Sequence, residues 1–335
     1  MPRLLRTAVL LALVFAPAAL ADGGPAPGVV DGGVGVLGDG INYVTVGDGR
    51  TTILMTLRGK DGVAGWVNLR GNWGIPSIAF DGTTAGLSRD RSTLVLGEFN
   101  NGTCSRNRCS PLHLTSRFAI FTPKTLRQRA TIALKGDFSF DALSPDGRKL
   151  YLIQHVSATN LNRYLVRAYD LERARLLPGA IADRTQRGWV MNGVPVARAT
   201  TANGRFVYTL YQNPGGYPFV HALDTVRGVA HCTGVPWTGD QGVLGSMTLS
   251  LLHGGRTLSL AVPREAFKPP RTFPSFTLDT RTYAVLLSQP RAPGTFPWWM
   301  LGLAAVPLLL GSALLRRGRR SRLRWGGKRE LAGMR

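Results

Sequence analysis

The chain has 335 residues, and its 41 Lys and Arg against 19 Asp and Glu give a formal charge of +22. Such a charge suggests a nucleic-acid partner, but its distribution argues against one. Nine basic residues and one acid follow residue 315 and two more basic residues sit in the first six, which leaves about half of the excess on the body.

Arg3 and Arg6, an apolar run over 10–15 and Ala19-Leu20-Ala21 have the layout of a cleavable secretory leader, so residues 1–21 are expected to be removed and the body exported. A Gly- and Pro-rich entry over 23–40 precedes alternating runs at 42–46, 51–57 and 63–69 that read as strands. No long helical period appears in the body.

The most informative stretch is Ser144-Pro145-Asp146-Gly147-Arg148-Lys149-Leu150-Tyr151-Leu152. Pro145 presets a turn, Asp146 and Gly147 supply a side-chain acceptor and a positive φ, and the alternation after them is a strand. Related stretches start at Leu87, Leu143, Thr200 and Leu251, at spacings of 56, 57 and 51 residues, which is the regularity of a repeat. Third strands at 118–121, 166–169, 220–223 and 275–278 and fourth strands at 131–134, 175–180, 229–233 and 283–287 complete a four-strand plan. Units at 30–80, 81–137, 138–195, 196–241 and 242–290 predict an all-β propeller of about five four-stranded blades over 22–290.

After a linker at 291–295, residues 296–315 form an uncharged run of twenty residues, long enough to cross a hydrocarbon core of about 30 Å as a helix. The basic tail at 316–335 then orients it with the C-terminus in the cytoplasm and the propeller outside. Cys104 and Cys109 bracket a short polar loop, and in an exported chain they are expected to form a disulfide; Cys232 is expected to be a small buried residue.

The motif Ser144-Pro145-Asp146-Gly147-Arg148-Lys149-Leu150-Tyr151 resembles the blade signature of bacterial WD40-like propellers, the group that includes YVTN-repeat and TolB-type proteins. The aspartates after the third strands, Asp170 and Asp224, are similar to the one that follows that strand in the group. The resemblance covers about 29–289 and implies the fold. The group is functionally mixed, so it implies little about activity.

In such a fold, second-to-third and fourth-to-first connections share one face, and here they are the long, varied ones. That face would carry Asn72, Trp73, Arg106, Arg108, His155, Asn160, Arg163, Arg187, Asn192, Gln212, Asn213, Tyr217, Trp237, Asp240, Gln241 and Arg271. A rim of Trp66, Trp73, Trp189 and Trp237 among these polar residues would suit a sugar or peptide. The same tryptophans could instead wedge between blades, as the apolar contexts of Trp66 and Trp189 favour.

The five histidines show no metal-ligand spacing, and the carboxylates Glu98, Asp183, Asp240 and Glu265 show no acid–base pairing; no metal or cofactor is expected. The expected function is a membrane-anchored envelope module that binds or scaffolds a protein or glycan. The alternative is a propeller hydrolase using face carboxylates or His155. The short reach from the last strand to the apolar run places the elaborated face near the bilayer. There Arg106, Arg108, Arg163, Arg184, Arg187 and Arg271 would meet a membrane protein or an anionic envelope polymer.

Overall fold

The computed structural model describes residues 28–36, 40–59, 62–99, 103–105, 108–110, 112–183, 190–237, 241–261 and 275–288. A strand β1 (Gly28–Val30) precedes blade 1, which is β2 (Gly32–Gly35), β3 (Ile41–Gly47), β4 (Thr51–Arg58) and β5 (Gly62–Arg70). Blade 2 is β6 (Trp73–Ser77), β7 (Leu94–Glu98), β10 (Thr115–Thr122) and β11 (Arg127–Lys135), with a two-stranded ribbon of β8 (Thr103–Ser105) and β9 (Arg108–Ser110) between its second and third strands. Blade 3 is β12 (Phe138–Leu143), β13 (Lys149–His155), β14 (Arg163–Asp170) and β15 (Arg175–Leu176), with β16 (Met191–Asn192) also paired to β14. Blade 4 is β17 (Val194–Thr200), β18 (Phe206–Gln212), β19 (Phe219–Asp224) and β20 (Val229–Gly234), and blade 5 is β21 (Thr248–Leu252), β22 (Thr257–Ala261), β23 (Ser275–Asp279) and β24 (Val285–Ser288).

Each of these five sheets is an antiparallel meander, and segments from the innermost strands of all five line one central cavity of about 840 Å³. That is a β-propeller with the blade number expected from the repeat, but blade 2 begins at Trp73 and not at residue 81, because β6 is its inner strand. Apolar side chains from facing sheets fuse each blade to the next. Leu54 and Leu69 meet Ile75 and Leu96 between blades 1 and 2; Ile120 and Ile132 meet Phe140 and Leu152 between blades 2 and 3. Tyr151 meets Val207 and Leu223 between blades 3 and 4, and Leu210 and Val220 meet Leu258 and Phe276 between blades 4 and 5. Among the described residues no apolar cluster joins blade 5 to blade 1, and the far face of blade 1 exposes Val46, Ile53, Val63 and Trp66.

The repeat motif works by local hydrogen bonding. Ser88 Oγ accepts the Thr93 N–H at 3.0 Å, Ser144 Oγ the Lys149 N–H at 2.9 Å and Thr201 Oγ1 the Phe206 N–H at 2.9 Å. Asp90, Asp146 and Asn203 each accept the N–H two residues on, as such turn residues do. Adjacent motifs then lock together, since the Asp90 N–H donates to Pro145 O at 3.0 Å and Thr93 Oγ1 to Gly147 O at 3.1 Å. Gly147 has φ +66°, and a Cβ there would lie 2.4 Å from Thr93 Oγ1, so both backbone and neighbour require glycine. On the third-to-fourth turns Asp170, Asp224 and Asp279 each accept two backbone N–H groups, which is the turn role expected of them. Those N–H groups hold Asp170 and Asp279 below the ordinary carboxylate range.

Three features depart from the sequence reading. The fourth strand of blade 3, expected over 175–180, ends at Leu176, because Pro178 has no N–H and Gly179 turns at φ +77°; Ile181 and β16 take up the remaining edge of β14. The N-terminal β1 pairs with β6, placing Val29 opposite Pro76. The inner strand of blade 2 is interrupted: after Ser77 the chain makes a tight turn over 78–83, then rejoins β7 where Leu87 bridges Leu94. The first-to-second connection of blade 2 is itself the tight turn over 88–93, short as the repeat had suggested. The leader (1–21), the linker, the apolar run and the tail (291–335) lie outside the described residues, among which no helix is long and apolar enough to cross a membrane.

Candidate binding face

Strand direction places the ends of β7, β11, β13 and β18 and the starts of β12, β17 and β19 on one face, which carries the long loops. The turn over 78–83 reaches this face from inside the ring. Its Phe80 N–H donates to Pro195 O at 3.2 Å and its Asp81 N–H to Val196 O at 3.0 Å, while the Asp81 carboxylate accepts the Arg198 N–H at 2.8 Å. Blade 2 is thereby stapled to the free edge of β17 in blade 4. Pro195 and Val196 are among the first residues of β17, so the turn sits in the elaborated-face half of the channel. Ile78 and Ala79 are buried, but Phe80 is 53% exposed. The second-to-third loops of blades 2, 3 and 4 each carry an exposed apolar side chain: Leu114 at 69%, Val156 at 41% and Tyr217 at 60%.

Several expected site residues lie here in other roles. Trp73 is 7% exposed and belongs to the core between blades 1 and 2, its Nε1–H donating to Arg70 O at 2.9 Å; it is no rim residue, because its ring fills the start of blade 2. Trp237 is half-buried against Phe276, edge to face at 6.3 Å, and wedges beside blade 5. Trp66 departs in the other direction: expected between blades, it is 62% exposed on the unpartnered face of blade 1. Asn192, Asn213 and Gln241 form a brace. Asn192 Nδ2 donates to Asn213 Oδ1, the Asn213 N–H to Gln241 Oε1 at 2.8 Å, and Gln241 Nε2 to Gly216 O at 2.7 Å. The brace holds the 213–218 loop and presents Tyr217. Asn160 Oδ1 accepts the Asn162 N–H within its own exposed loop, Arg163 is exposed beside it, and Asn72 and Gln212 are half-buried at the ends of crossovers and strands. Arg106, Trp189, Arg187, Asp240 and Arg271 lie outside the described residues, as do the side chains of Cys104, Arg108 and Cys109. The backbone register nevertheless sets Cys104 directly opposite Cys109 across β8 and β9.

Between blades 2 and 3 the same face holds a pocket of about 190 Å³ lined by Glu98, His113, Arg117, Asp137 and His155. His155 Nδ1–H donates to Leu161 O at 2.9 Å, and the His155 N–H donates to Asp137 O at 3.0 Å. Burial raises the Asp137 carboxyl above its ordinary range, opposed by His155 and by His113. Glu98 pairs with Arg117 at 3.3 Å. Ser116 Oγ is tied up, donating to Gly136 O and accepting the Phe138 N–H, so it is no free nucleophile. Glu98 and His155, both marked by the sequence, thus line one pocket; Asp137 was missed because it lies in a one-turn crossover with no motif around it. The pocket is smaller than the roughly 300–1,000 Å³ typical of small-molecule sites.

Other titratable groups serve the frame. His231 Nδ1 lies 2.7 Å from the buried Asp183 of the preceding crossover and stacks on Tyr283 at 4.1 Å, linking blades 3, 4 and 5. Cys232 beside it has its thiol pushed up to about 12 by burial and then by Asp183, which removes it as a nucleophile at neutral pH. His221, expected to be a satisfied polar residue, is fully buried with no partner for Nε2, and burial lowers it to about 4. Among the described residues no group of three or more His, Cys, Asp or Glu is placed to hold a metal ion.

No protein-family model and no curated protein sequence matches the chain. Solved structures do resemble it in fold. Hydrazine synthase of Kuenenia stuttgartiensis aligns over 82% of this chain and 70% of its own, at a TM-score of 0.46 and 10% identity. The β-propeller domain of Myceliophteria thermophila Cps50 (Swd1) aligns over 78% and 71%, at 0.42 and 11%. TolB from Acinetobacter baumannii aligns over 79% and 55%, at 0.41 and 13%. Likenesses this distant carry nothing about activity or ligand.

Proposed function

We propose that the chain is a cell-envelope propeller, exported by its leader, anchored by residues 296–315, and acting as a binding or scaffolding module for a membrane-associated protein. The observation that supports this reading is that Phe80, Leu114, Val156 and Tyr217 are all exposed in the connections of the elaborated face, with Phe80 held to blade 4 by backbone bonds across the ring. A central aromatic anchor within a ring of lesser contacts is the layout of a protein-binding hot spot, and its preorganisation lowers the entropy cost of association. The hydrolase alternative rests on Asp137 and His155, whose pocket of about 190 Å³ is small for a substrate. Capture from solubilised membranes tests the proposal. Wild-type protein should retain specific membrane proteins that a Phe80→Asp, Tyr217→Asp variant loses, while Asp137→Asn retains them. Equal retention by the wild type and both variants would reject the face as the recognition surface.

A further inference from the structure

The short turns opposite the elaborated face carry cations in a regular arrangement. At or beside the first-to-second turns the repeat sets one arginine in each of four blades, Arg91, Arg148, Arg205 and Arg256. The third-to-fourth turns of the same blades add Arg127, Arg173, Arg227 and Arg281. Among the described residues of this face, cations outnumber carboxylates by more than two to one. Arg148, Arg173 and Arg205 have carboxylate partners, Glu172 at 3.1 Å, Asp170 at 2.9 Å and Asp224 at 2.8 Å. Arg89, Lys124, Arg127, Arg175, Arg227 and Arg256 are exposed and form no ion pair or side-chain hydrogen bond among the described residues.

These turns form one continuous surface. The Asp90 N–H donates to Pro145 O at 3.0 Å and Lys149 Nζ to Val226 O at 3.0 Å, joining blade 2 to 3 and 3 to 4. A Cβ on Gly204 would lie 3.2 Å from Arg89 Cβ, and one on Gly255 would lie 4.0 Å from Thr201, so the turns of blades 2, 4 and 5 abut as well. The potentials of their cations therefore add, and self-repulsion among them is relieved by an anion. A small anion reaches only one or two exposed guanidiniums, a contact worth little, whereas a chain of repeated charges meets many and releases counterions at each. Arginine forks take phosphate or carboxylate oxygens in pairs. Strand β24 runs toward the elaborated face, so with the anchor proposed above the short turns point away from the bilayer. We propose that the short-turn face binds a flexible linear polyanion of the envelope, laid across the turns of blades 2 to 5. The proposal rests on the anchored orientation only in choosing a polymer over the bilayer, and it is independent of the protein-binding face.

Polyphosphate and polygalacturonate, with pyrophosphate as the short control, test this by titration into the full-length, detergent-solubilised chain. Its basic residues after position 315 are changed to glutamine for the purpose, because that tail attracts polyanions by itself. At least one polymer should bind and raise the melting temperature. With about four charges neutralised, its affinity should fall roughly fiftyfold between about 50 and 200 mM salt. Arg89→Gln, Arg227→Gln and Arg256→Gln together should weaken the polymer roughly tenfold and flatten that salt dependence. Arg50→Gln, Arg70→Gln and Arg163→Gln remove the same charge from the elaborated face and should leave polymer binding unchanged. All of these arginines are exposed, so both triple variants should melt like the parent without polymer, and the first should retain membrane-protein capture. Equal weakening by the two triples would reduce the effect to general attraction and overturn the proposal. So would binding of neither polymer, or pyrophosphate bound as tightly as the polymer. Displacement of the polymer by phosphatidylglycerol added to the micelle would assign the face to the membrane instead.

Discussion

Replacing Gly147 by alanine probes the joint on which the ring depends. The residue has φ +66°, where an L-side chain costs about 1–2 kcal/mol, and its new Cβ would fall 2.4 Å from Thr93 Oγ1 and 2.8 Å from Ser92 Oγ of the neighbouring blade. Thr93 cannot simply swing away, because its hydroxyl donates to Gly147 O and accepts from Arg129 Nη2 at 2.8 Å. Overpacking of this kind adds about 1–3 kcal/mol, so the total should be roughly 2–5 kcal/mol. Gly215 is the matched control, with φ +84° and nothing within 4 Å of its virtual Cβ, and Gly215→Ala should cost only the conformational part. Urea unfolding of both variants, read as a midpoint shift at constant slope, gives the difference. Equal losses would show that the motif turn is a local device and that the inter-blade lock contributes nothing.

Three further outcomes are expected. His221 is neutral when folded and its ordinary value of 6.5 falls to about 4, so the unfolded chain takes up the extra proton between those values. The associated stability, on the order of 3 kcal/mol, should be present above about pH 6.5, be lost as pH falls toward 4, and be absent from the pH profile of His221→Phe; the turn aspartates act only at lower pH. In denaturant without reductant one thiol, Cys232, should alkylate, with three after reduction; three without reductant would rule out a Cys104–Cys109 bridge. Trp73→Ala should lose about 3–5 kcal/mol and Trp66→Ala less than about 0.5 kcal/mol, by thermal or urea unfolding, and the reverse order would contradict the packing described for blade 1.

What the sequence made legible is what is wired locally. In blades 2, 3 and 4 the Ser or Thr and the Asp or Asn of the motif accept N–H groups two to five residues away, so residue type and spacing suffice to read the hairpin, and its recurrence gives the ring. Contacts across the ring leave no such period. The pairing of β1 with β6, the staple from Asp81 to Arg198 over 117 residues and the meeting of Asp137 with His113 and His155 arise only once the blades are in place. Trp73 and Trp66 were misplaced for a related reason. Glycines and polar neighbours surround Trp73 in sequence, yet Thr52 Oγ1 accepts its N–H at 2.8 Å and draws it into the seam, whereas the apolar context of Trp66 belongs to a face that no blade covers. The elaborated face itself was readable from loop lengths, but its central feature, Phe80, was not, because it reaches that face from within an interrupted inner strand.

Site-directed photocrosslinking in native membranes tests the central claim most directly. A photoreactive residue at Phe80 or Tyr217 should give discrete protein adducts, while one at Val226, equally exposed on the opposite turns, should give none. Adducts from Val226 with none from Phe80 or Tyr217 would contradict the assignment of the recognition face.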